Sequence, residues 1–353
     1  MARRAQSGIE SADEIITPAA LRRELPLAAG MGAAIAGYRN TIEAIIDGAD
    51  PRLLAIVGPC SIHDIAGATE FAKRLSALAH ELSDSLFIVM RVYFEKPRGI
   101  TGWSGLITDP FLDGGFHVPE GLRAARKFLS HLARMDMPAA TEILHPWTPA
   151  YLGDLFAWSA IGQRAAESNT HRNIASGLGM PVGFKNAPRA GGIETAIKSI
   201  REAARPHAYL GTSENGALAT ILTRGNDYAH LVLRGGDGYG FGGGSVGFAE
   251  KKLAQNSLPA RIVVDCSHAN SEDDPHNQEA VLRDLLTLIE SGNTTIIGFM
   301  LESYLEWGAQ PITADPDKMD YGVSVTDPCI DWDTTERLLR EAADRHDRIL
   351  SGN

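Results

Sequence analysis

The stretch LFIVMRVYFEKPR, residues 86–98, joins an apolar run to a cluster of cations. A short run that is apolar throughout is typical of a parallel strand covered on both faces by helices. The cations Arg91, Lys96 and Arg98 follow this run directly, so they lie where the strand ends. In open and closed α/β folds, ligands bind at the C-terminal ends of the strands. The stretch therefore predicts an α/β protein with an anion site at its strand ends.

The same pattern recurs along the chain. Further apolar runs occupy residues 53–57, 138–144, 158–162, 181–185, 230–235, 261–266 and 295–301, with helix-like stretches between them. Eight β-then-α units in series predict a (β/α)8 TIM barrel. We expect an N-terminal helical extension over 1–50 and a catalytic barrel over 51–353. A β-hairpin insertion near 207–225 is predicted to turn at Asn215-Gly216.

The composition limits the class of protein. The chain has 353 residues, 44% of them hydrophobic, and a formal net charge of −11. No apolar run approaches the roughly 20 residues that a bilayer span needs, and no apolar segment follows the N-terminal arginines of a would-be signal peptide. The three cysteines form no CxxC pair. We therefore expect a cytoplasmic protein without a membrane or nucleic-acid partner, because an acidic chain repels phosphate backbones.

A residue of functional type follows every predicted strand. These residues are Cys60, Arg91 with Lys96 and Arg98, Glu142, Arg164, Lys185, Arg234, His268 and Glu302. In a barrel all of them converge on one mouth. Six of them are cations, and such a concentration is costly without anions to bind. Because guanidinium forks match phosphate and carboxylate oxygens, the expected ligand is a small phosphorylated acid, or two phosphorylated substrates together.

A second set of strand-end residues has the chemistry of metal ligands. Cys60, His268 and Glu302 offer a thiolate, an imidazole and a carboxylate, and Asp327 in SVTDPC offers a fourth ligand. These groups suit a divalent ion such as Zn, Mn, Fe or Co. Their spacing has no short-motif signature, and a cysteine after Gly-Pro is more often a small buried hydrophobe. The barrel hypothesis favours the metal site because it brings these residues together.

One motif supports a different function. GYGFGG matches G-x-G-x-x-G at Gly238, Gly240 and Gly243, and it lies between a predicted strand and a predicted helix. This pattern is typical of the nucleotide site of a dehydrogenase. However, the first glycine trails the strand by several residues, and only residues 266–353 remain to complete a doubly wound sheet. A flexible βα loop is the favoured interpretation.

Taken in order, several blocks resemble type I 3-deoxy-D-arabino-heptulosonate 7-phosphate (DAHP) synthases from about residue 15 to 345. They are LLAIVGPCSIHD, MRVYFEKPR, GWSGLITDPFLDG, AESNTHRNIASGL, PVGFKNA, LRGG, DCSHANS, MLESYLEWGAQP and SVTDPCIDW. The resemblance implies a metal-dependent condensation of phosphoenolpyruvate with erythrose 4-phosphate. This reaction opens the shikimate pathway to the aromatic amino acids. The resemblance also implies that the protein forms a homodimer or homotetramer.

The resemblance assigns roles to matching positions. The implied metal ligands are Cys60, His268, Glu302 and Asp327. The implied phosphoenolpyruvate clamp comprises Arg91, Lys96, Arg164, Lys185 and Arg234, with Gln163 beside it. Lys96, Pro97 and Arg98 open the motif that meets the aldose phosphate. The candidate catalytic residues are Lys96, Glu142 and His268, with Lys96 as proton donor to the nascent alkoxide and Glu142 orienting the attacking water.

The chain departs from the family pattern at several positions. Gly99 replaces a threonine after Lys-Pro-Arg, and Ala165-Ala166 replaces a pair of threonines after Arg164. Two alternatives follow: the same chemistry on another aldose phosphate, for example an amino-substituted one, or a catalytically silent regulatory homologue.

Feedback-inhibited relatives have serines where this chain has Gly179 and Gly211. We therefore expect weak or no inhibition by phenylalanine or tyrosine, as in a copy that serves specialised metabolism.

Overall fold

The fold is an eight-stranded parallel barrel. The computed structural model describes residues 9, 11–97, 102–236, 243–313 and 315–352. The barrel strands are β1 Leu53–Gly58, β2 Leu86–Arg91, β3 Ala139–Glu142, β4 Trp158–Ile161, β5 Val182–Lys185, β8 Ala229–Leu233, β9 Ile262–Asp265 and β10 Ile296–Glu302. They close in the order β1-β10-β9-β8-β5-β4-β3-β2. The prediction of a TIM barrel is confirmed.

Ten helices accompany the strands in the described part of the chain. They are α1 Pro18–Glu24, α2 Met31–Asp47, α3 Ile65–Glu81, α4 Val118–Arg134, α5 Thr148–Leu152, α6 Asn169–Ala175, α7 Gly192–Ala203, α8 Gly243–Gln255, α9 Gln278–Glu290 and α10 Trp332–Leu350. None of these described helices is long and apolar enough to cross a membrane.

The strands are apolar because both of their faces are covered. Every residue of β1, β4, β5, β9 and β10 is buried. One face fills the barrel interior, where Ile56, Val89, Trp158, Val263 and Met300 belong to a single buried cluster. The other face packs against the surrounding helices in a second cluster. The barrel is thus a packed core and not a pore, and polar side chains are left to the strand ends.

Two helices precede the barrel, and local signals explain their ends. Thr17 caps α1, accepting a hydrogen bond from the amide of Ala20 at 3.3 Å, and proline occupies the first turn. Helix α2 ends at Gly48 in a left-handed conformation. Buried Arg126 of α4 fixes this N-terminal region to the barrel: it donates to the Leu25 carbonyl at 2.9 Å and pairs with Asp154 at 2.8 Å.

The predicted hairpin is present between α7 and β8. Strand β6 (Ala208–Thr212) pairs antiparallel with β7 (Leu218–Leu222), and the loop between them contains Gly216 at φ 79°. Its two faces alternate in burial. The outer face carries Leu210, Leu218 and Leu222, which are 72%, 77% and 77% exposed.

The segment after β10 turns back over the barrel mouth before α10 begins. Bridges join Ser303 to Ile330 and Gly308 to Cys329. They bring Asp327 next to Cys60, where the amide of Asp327 donates to the Cys60 sulfur at 3.3 Å. The site therefore receives groups from this segment as well as from the strand ends.

Candidate active site

A cavity of about 470 Å³ occupies the C-terminal mouth of the barrel. Eleven of the residues singled out from the sequence line it: Arg91, Lys96, Pro97, Glu142, Gln163, Arg164, Lys185, Arg234, His268, Glu302 and Asp327. Cys60 is fully buried beside it and accepts a hydrogen bond from Lys96. Arg98 lies outside the described residues, as does Gly99.

The proposed metal ligands lie close together. Ligand atoms of Cys60, Glu302 and Asp327 all lie within 4.8 Å of one another. The Cys60 sulfur is 3.2 Å from Asp327 Oδ2, and His268 Nε2 is 3.7 Å from Glu302 Oε1. One thiol, one imidazole and two carboxylates form a mixed soft and hard donor set, which suits a divalent transition metal. The residues present therefore fit such an ion.

The Cys60 thiol is held in its protonated form when no metal is bound. Burial, together with the nearby Glu302 carboxylate, raises the pKa of Cys60 to about 11. The sulfur accepts a hydrogen bond from Lys96 Nζ at 2.7 Å and can donate to Asp327. Because metal ions bind the thiolate, an ion held by Cys60 would displace the thiol proton.

The cations of the mouth differ in their surroundings. Arg91 and Lys185 are buried and have carboxylate partners, Glu302 at 2.5 Å and Asp265 at 3.1 Å. The protein itself thus neutralises part of the positive charge for which the sequence predicted an anionic ligand. Among the described residues, Arg164 and Arg234 form no ion pair. Arg234 donates to Gln163 Oε1 at 3.0 Å, while Arg164 is exposed at the cavity wall.

Asp265, the last residue of β9, supports two members of the site. Its Oδ2 lies 2.9 Å from His268 Nδ1 and 3.1 Å from Lys185 Nζ. Although burial acts in the opposite direction, His268 and Lys185 hold the pKa of Asp265 well below its usual range. An ionised Asp265 orients the imidazole so that Nε2 faces the Glu302 carboxylate, 3.7 Å away. This role of Asp265 was not predicted from the sequence, although its position at the end of a strand was a usable signal.

The segment that carries Lys96 is fixed from two sides. On one side the Lys96 amide donates to the Ser104 carbonyl at 3.0 Å. On the other side the buried Glu95 carboxylate contacts His145 and accepts a hydrogen bond from Thr148 at 3.0 Å. Hydrogen bonding to Glu95 raises the pKa of His145. No sequence pattern linked Glu95 to residues fifty positions away.

The residues that directly follow β4 and β5, Gly162 and Asn186, help to position side chains of the site. A Cβ at Gly162 would lie 2.2 Å from Glu142 Oε1, so any side chain there would displace the Glu142 carboxylate. Asn186, after β5, accepts a hydrogen bond from the Arg234 amide at 2.8 Å and donates to the Gly235 carbonyl at 3.0 Å. Asn186 thereby ties the end of β5 to the end of β8 and fixes the start of the Arg234 side chain.

The GYGFGG motif cannot be followed in full. Gly238 and Gly240 lie outside the described residues, and α8 begins at Gly243. The nucleotide-site alternative therefore stays untested by the structure.

Known proteins resemble this chain over almost its whole length. The model of the DAHP synthetase I family matches residues 29–340. The Tyr-sensitive phospho-2-dehydro-3-deoxyheptonate aldolase of Salmonella typhimurium is 49% identical over 343 residues, covering 97% of this chain and 96% of that protein. The phospho-2-dehydro-3-deoxyheptonate aldolase of Corynebacterium glutamicum is 44% identical over 339 residues, covering 94% of this chain and 91% of that protein.

A solved structure is also similar to this chain. A solved structure of the phospho-2-dehydro-3-deoxyheptonate aldolase from Francisella tularensis superposes with a TM-score of 0.92 at 39% identity, covering 96% of this chain and 98% of that chain. The family model, the relatives and the barrel agree over nearly all of the sequence. The chain belongs to the DAHP synthetase I family.

Proposed function

We propose that this protein is a DAHP synthase. It condenses phosphoenolpyruvate with erythrose 4-phosphate to give 3-deoxy-D-arabino-heptulosonate 7-phosphate and phosphate, the first step of the shikimate pathway. Relatives at 44–49% identity carry the heptonate aldolase name. One observation carries the proposal: the donor set of Cys60, Glu302 and Asp327 adjoins a cavity lined by five cations that the structure describes.

The cations supply most of the substrate binding. Arg164 and Arg234, which form no ion pair among the described residues, are suited to the phosphate and carboxylate of phosphoenolpyruvate. Arg91 and Lys185 are buried at the base of the same cavity, so their charges are poorly screened by water. Together they would hold the enol in line with the aldehyde, which is mainly a positioning effect.

We infer that Cys60, His268, Glu302 and Asp327 hold a divalent ion: Mn, Fe, Co or Zn. When bound, such an ion polarises the aldehyde carbonyl of the acceptor as a Lewis acid. Asp265 then keeps the His268 ring oriented through Nδ1, at 2.9 Å. Arg91, paired with Glu302, limits the rotation of that carboxylate.

The remaining steps need a proton donor and a water. C3 of phosphoenolpyruvate forms a bond to the aldehyde carbon, and Lys96 donates a proton to the resulting alkoxide. Lys96 Nζ is buried at the cavity wall, 2.7 Å from the Cys60 sulfur. Glu142 orients a water that adds at C2. Phosphate then leaves as the bond between C2 and the phosphate-bearing oxygen breaks. The added water gives up its two protons, one on adding and one as the C2 hydroxyl becomes the keto group, and one of these restores the proton that Lys96 donated.

The alternatives are less well supported. A different acceptor was inferred from Gly99 and from Ala165-Ala166, but these changes leave the donor set and the described cations in place. A silent regulatory homologue would have no use for the same arrangement. Erythrose 4-phosphate is therefore the proposed acceptor.

The test is an acceptor panel. Phosphate release from phosphoenolpyruvate is measured with erythrose 4-phosphate, other aldose phosphates and an amino-substituted aldose phosphate, and the products are identified by mass. Erythrose 4-phosphate should give the highest kcat/KM. Lys96→Met should lower kcat by about 100-fold or more, as the loss of a proton donor does, whereas Lys127→Met on the exposed face of α4 should not. A better acceptor, or near-normal turnover by Lys96→Met, would contradict the assignment.

We also propose that copies of the chain form a homodimer or homotetramer in the cytoplasm. The exposed leucines of the hairpin, Leu210, Leu218 and Leu222, offer an apolar surface for association. The three cysteines are buried and free, which suits a reducing compartment. A mass of one chain in light scattering would contradict the oligomer.

A further inference from the structure

Tyr93 lies at the centre of the cations of the cavity. It follows Arg91, the last residue of β2, by two positions. The Arg91 guanidinium carbon is 3.7 Å from the centre of the Tyr93 ring. Lys185 Nζ lies at 5.6 Å and Lys96 Nζ at 5.8 Å from the same centre. All three distances are within the range of cation–π attraction, about 6 Å.

The ring of Tyr93 reduces the repulsion among these three cations. Its electron-rich faces attract positive charge without adding a formal negative charge, which would compete with an anionic substrate. Arg91 and Lys185 also have the carboxylates of Glu302 and Asp265. The ring is thus a neutral group that lies within about 6 Å of all three cations.

The hydroxyl of Tyr93 differs from the ring in its hydrogen bonding. Tyr93 is 2% exposed and lines the cavity, yet its hydroxyl has no hydrogen-bond partner among the described residues. A buried polar group left without a hydrogen bond destabilises the folded state. Burial raises the pKa of Tyr93, while Lys185 and Arg91 act in the opposite direction. The net effect keeps the phenol protonated, so it can donate a hydrogen bond.

We propose that the Tyr93 hydroxyl is a substrate-binding donor, which forms a hydrogen bond to an anionic oxygen of phosphoenolpyruvate while the Tyr93 ring holds the surrounding cations. The proposal rests on the function proposed above and adds a residue to its donor-substrate site. Phosphoenolpyruvate is preferred over the aldose because the nearest cations, Arg91 and Lys185, belong to its clamp. A neutral donor adds a hydrogen bond where further positive charge would raise the repulsion.

The variant Tyr93→Phe separates the two roles, because it keeps the ring and removes the hydroxyl. The KM for phosphoenolpyruvate should rise about 5- to 30-fold, the equivalent of about 1–2 kcal/mol. The KM for erythrose 4-phosphate and kcat should change much less. Without ligand the Tm should be unchanged or higher, since no protein group loses a partner. The increase in Tm on adding phosphoenolpyruvate should shrink.

Tyr151→Phe is the matched control. The Tyr151 hydroxyl donates to the Ile16 carbonyl at 2.7 Å, away from the lining of the cavity. Its loss should lower the Tm of the unliganded protein and leave the KM for phosphoenolpyruvate unchanged. This pattern is the reverse of the one expected for Tyr93→Phe.

Two results would overturn the proposal. One is an unchanged KM for phosphoenolpyruvate in Tyr93→Phe. The other is a lower Tm of that variant without ligand, which would reveal a structural partner for the hydroxyl. A wild-type protein that binds phosphoenolpyruvate but does not turn over with erythrose 4-phosphate would refute the proposed function alone. In that case the shift in Tm on phosphoenolpyruvate binding still decides the role of Tyr93.

Discussion

His230, near the start of β8, is buried in its neutral form. Nδ1 donates to the Tyr228 carbonyl at 2.9 Å, and Nε2 accepts from the Trp158 indole at 3.1 Å. Both nitrogens are therefore used by the neutral ring, and a second proton would break the bond from Trp158. Burial, assisted by Arg261, lowers the pKa of His230 from 6.5 to about 4.

This shift predicts a loss of stability in mild acid. Between pH 6.5 and pH 4 the unfolded chain binds a proton at His230 that the folded protein does not, so the free energy of unfolding falls as pH falls. Through His230, the free energy of unfolding is about 3 kcal/mol higher above pH 6.5 than below pH 4. Urea unfolding at several pH values should therefore show a weaker pH dependence for His230→Gln than for the wild type. Equal slopes would contradict this account.

At the residue scale, the sequence revealed the chemistry but not all of the contacts. Cys60, His268, Glu302 and the described cations were predictable as one group because each lies at or just after the end of a strand, and parallel strands of a barrel end at one mouth. Tyr93, Asp265 and Glu95 were not predicted. Their importance depends on partners that are far away in the sequence, such as Lys185 for Tyr93 and His145 for Glu95.

At the element scale, the hairpin contributes to a second cavity, of about 740 Å³, together with α5 and α6. Gly211 lines it, but Gly179 is not among its lining residues. A Cβ at Gly211 would lie 2.6 Å from the Ile221 side chain, so Ile221 occupies the space that a serine would need. The cavity therefore has no hydroxyl at residue 211 to bind an effector.

We accordingly expect micromolar phenylalanine or tyrosine to inhibit turnover by less than half. Tyrosine is the stricter test, since a relative at 49% identity is named Tyr-sensitive. The double variant Gly211→Ser with Ile221→Val restores a hydroxyl together with the room for it, and should be more sensitive than the wild type. Half-inhibition of the wild type at micromolar concentration would show that the other walls of the cavity suffice.

The elements themselves were largely predictable from their periodicity. Eight apolar runs became eight strands, and the turn of the hairpin contains Gly216 as expected. The strand ends shifted where the pattern was ambiguous: the run at 138–144 gives only Ala139–Glu142. Residues 303–331 have no clear period, so their return across the mouth could not be foreseen, although it delivers Asp327.

At the scale of the whole molecule, the barrel explains why distant motifs work together. Cys60 and Asp327 are 267 positions apart, and yet their side chains are 3.2 Å apart. Arg91 and Glu302, 211 positions apart, form a buried ion pair. Closure of the sheet between β1 and β10 makes both contacts possible. We propose that these contacts build one metal-dependent condensation site.

The most direct test of this claim is turnover with phosphoenolpyruvate and erythrose 4-phosphate before and after treatment with EDTA. Phosphate release should require both substrates, and it should fall at least about ten-fold once the ion is removed from Cys60, His268, Glu302 and Asp327. Activity should return when Mn, Fe, Co or Zn is added in excess of the chelator. Absence of turnover in the metal-loaded protein, or turnover that persists unchanged in EDTA, would contradict the account.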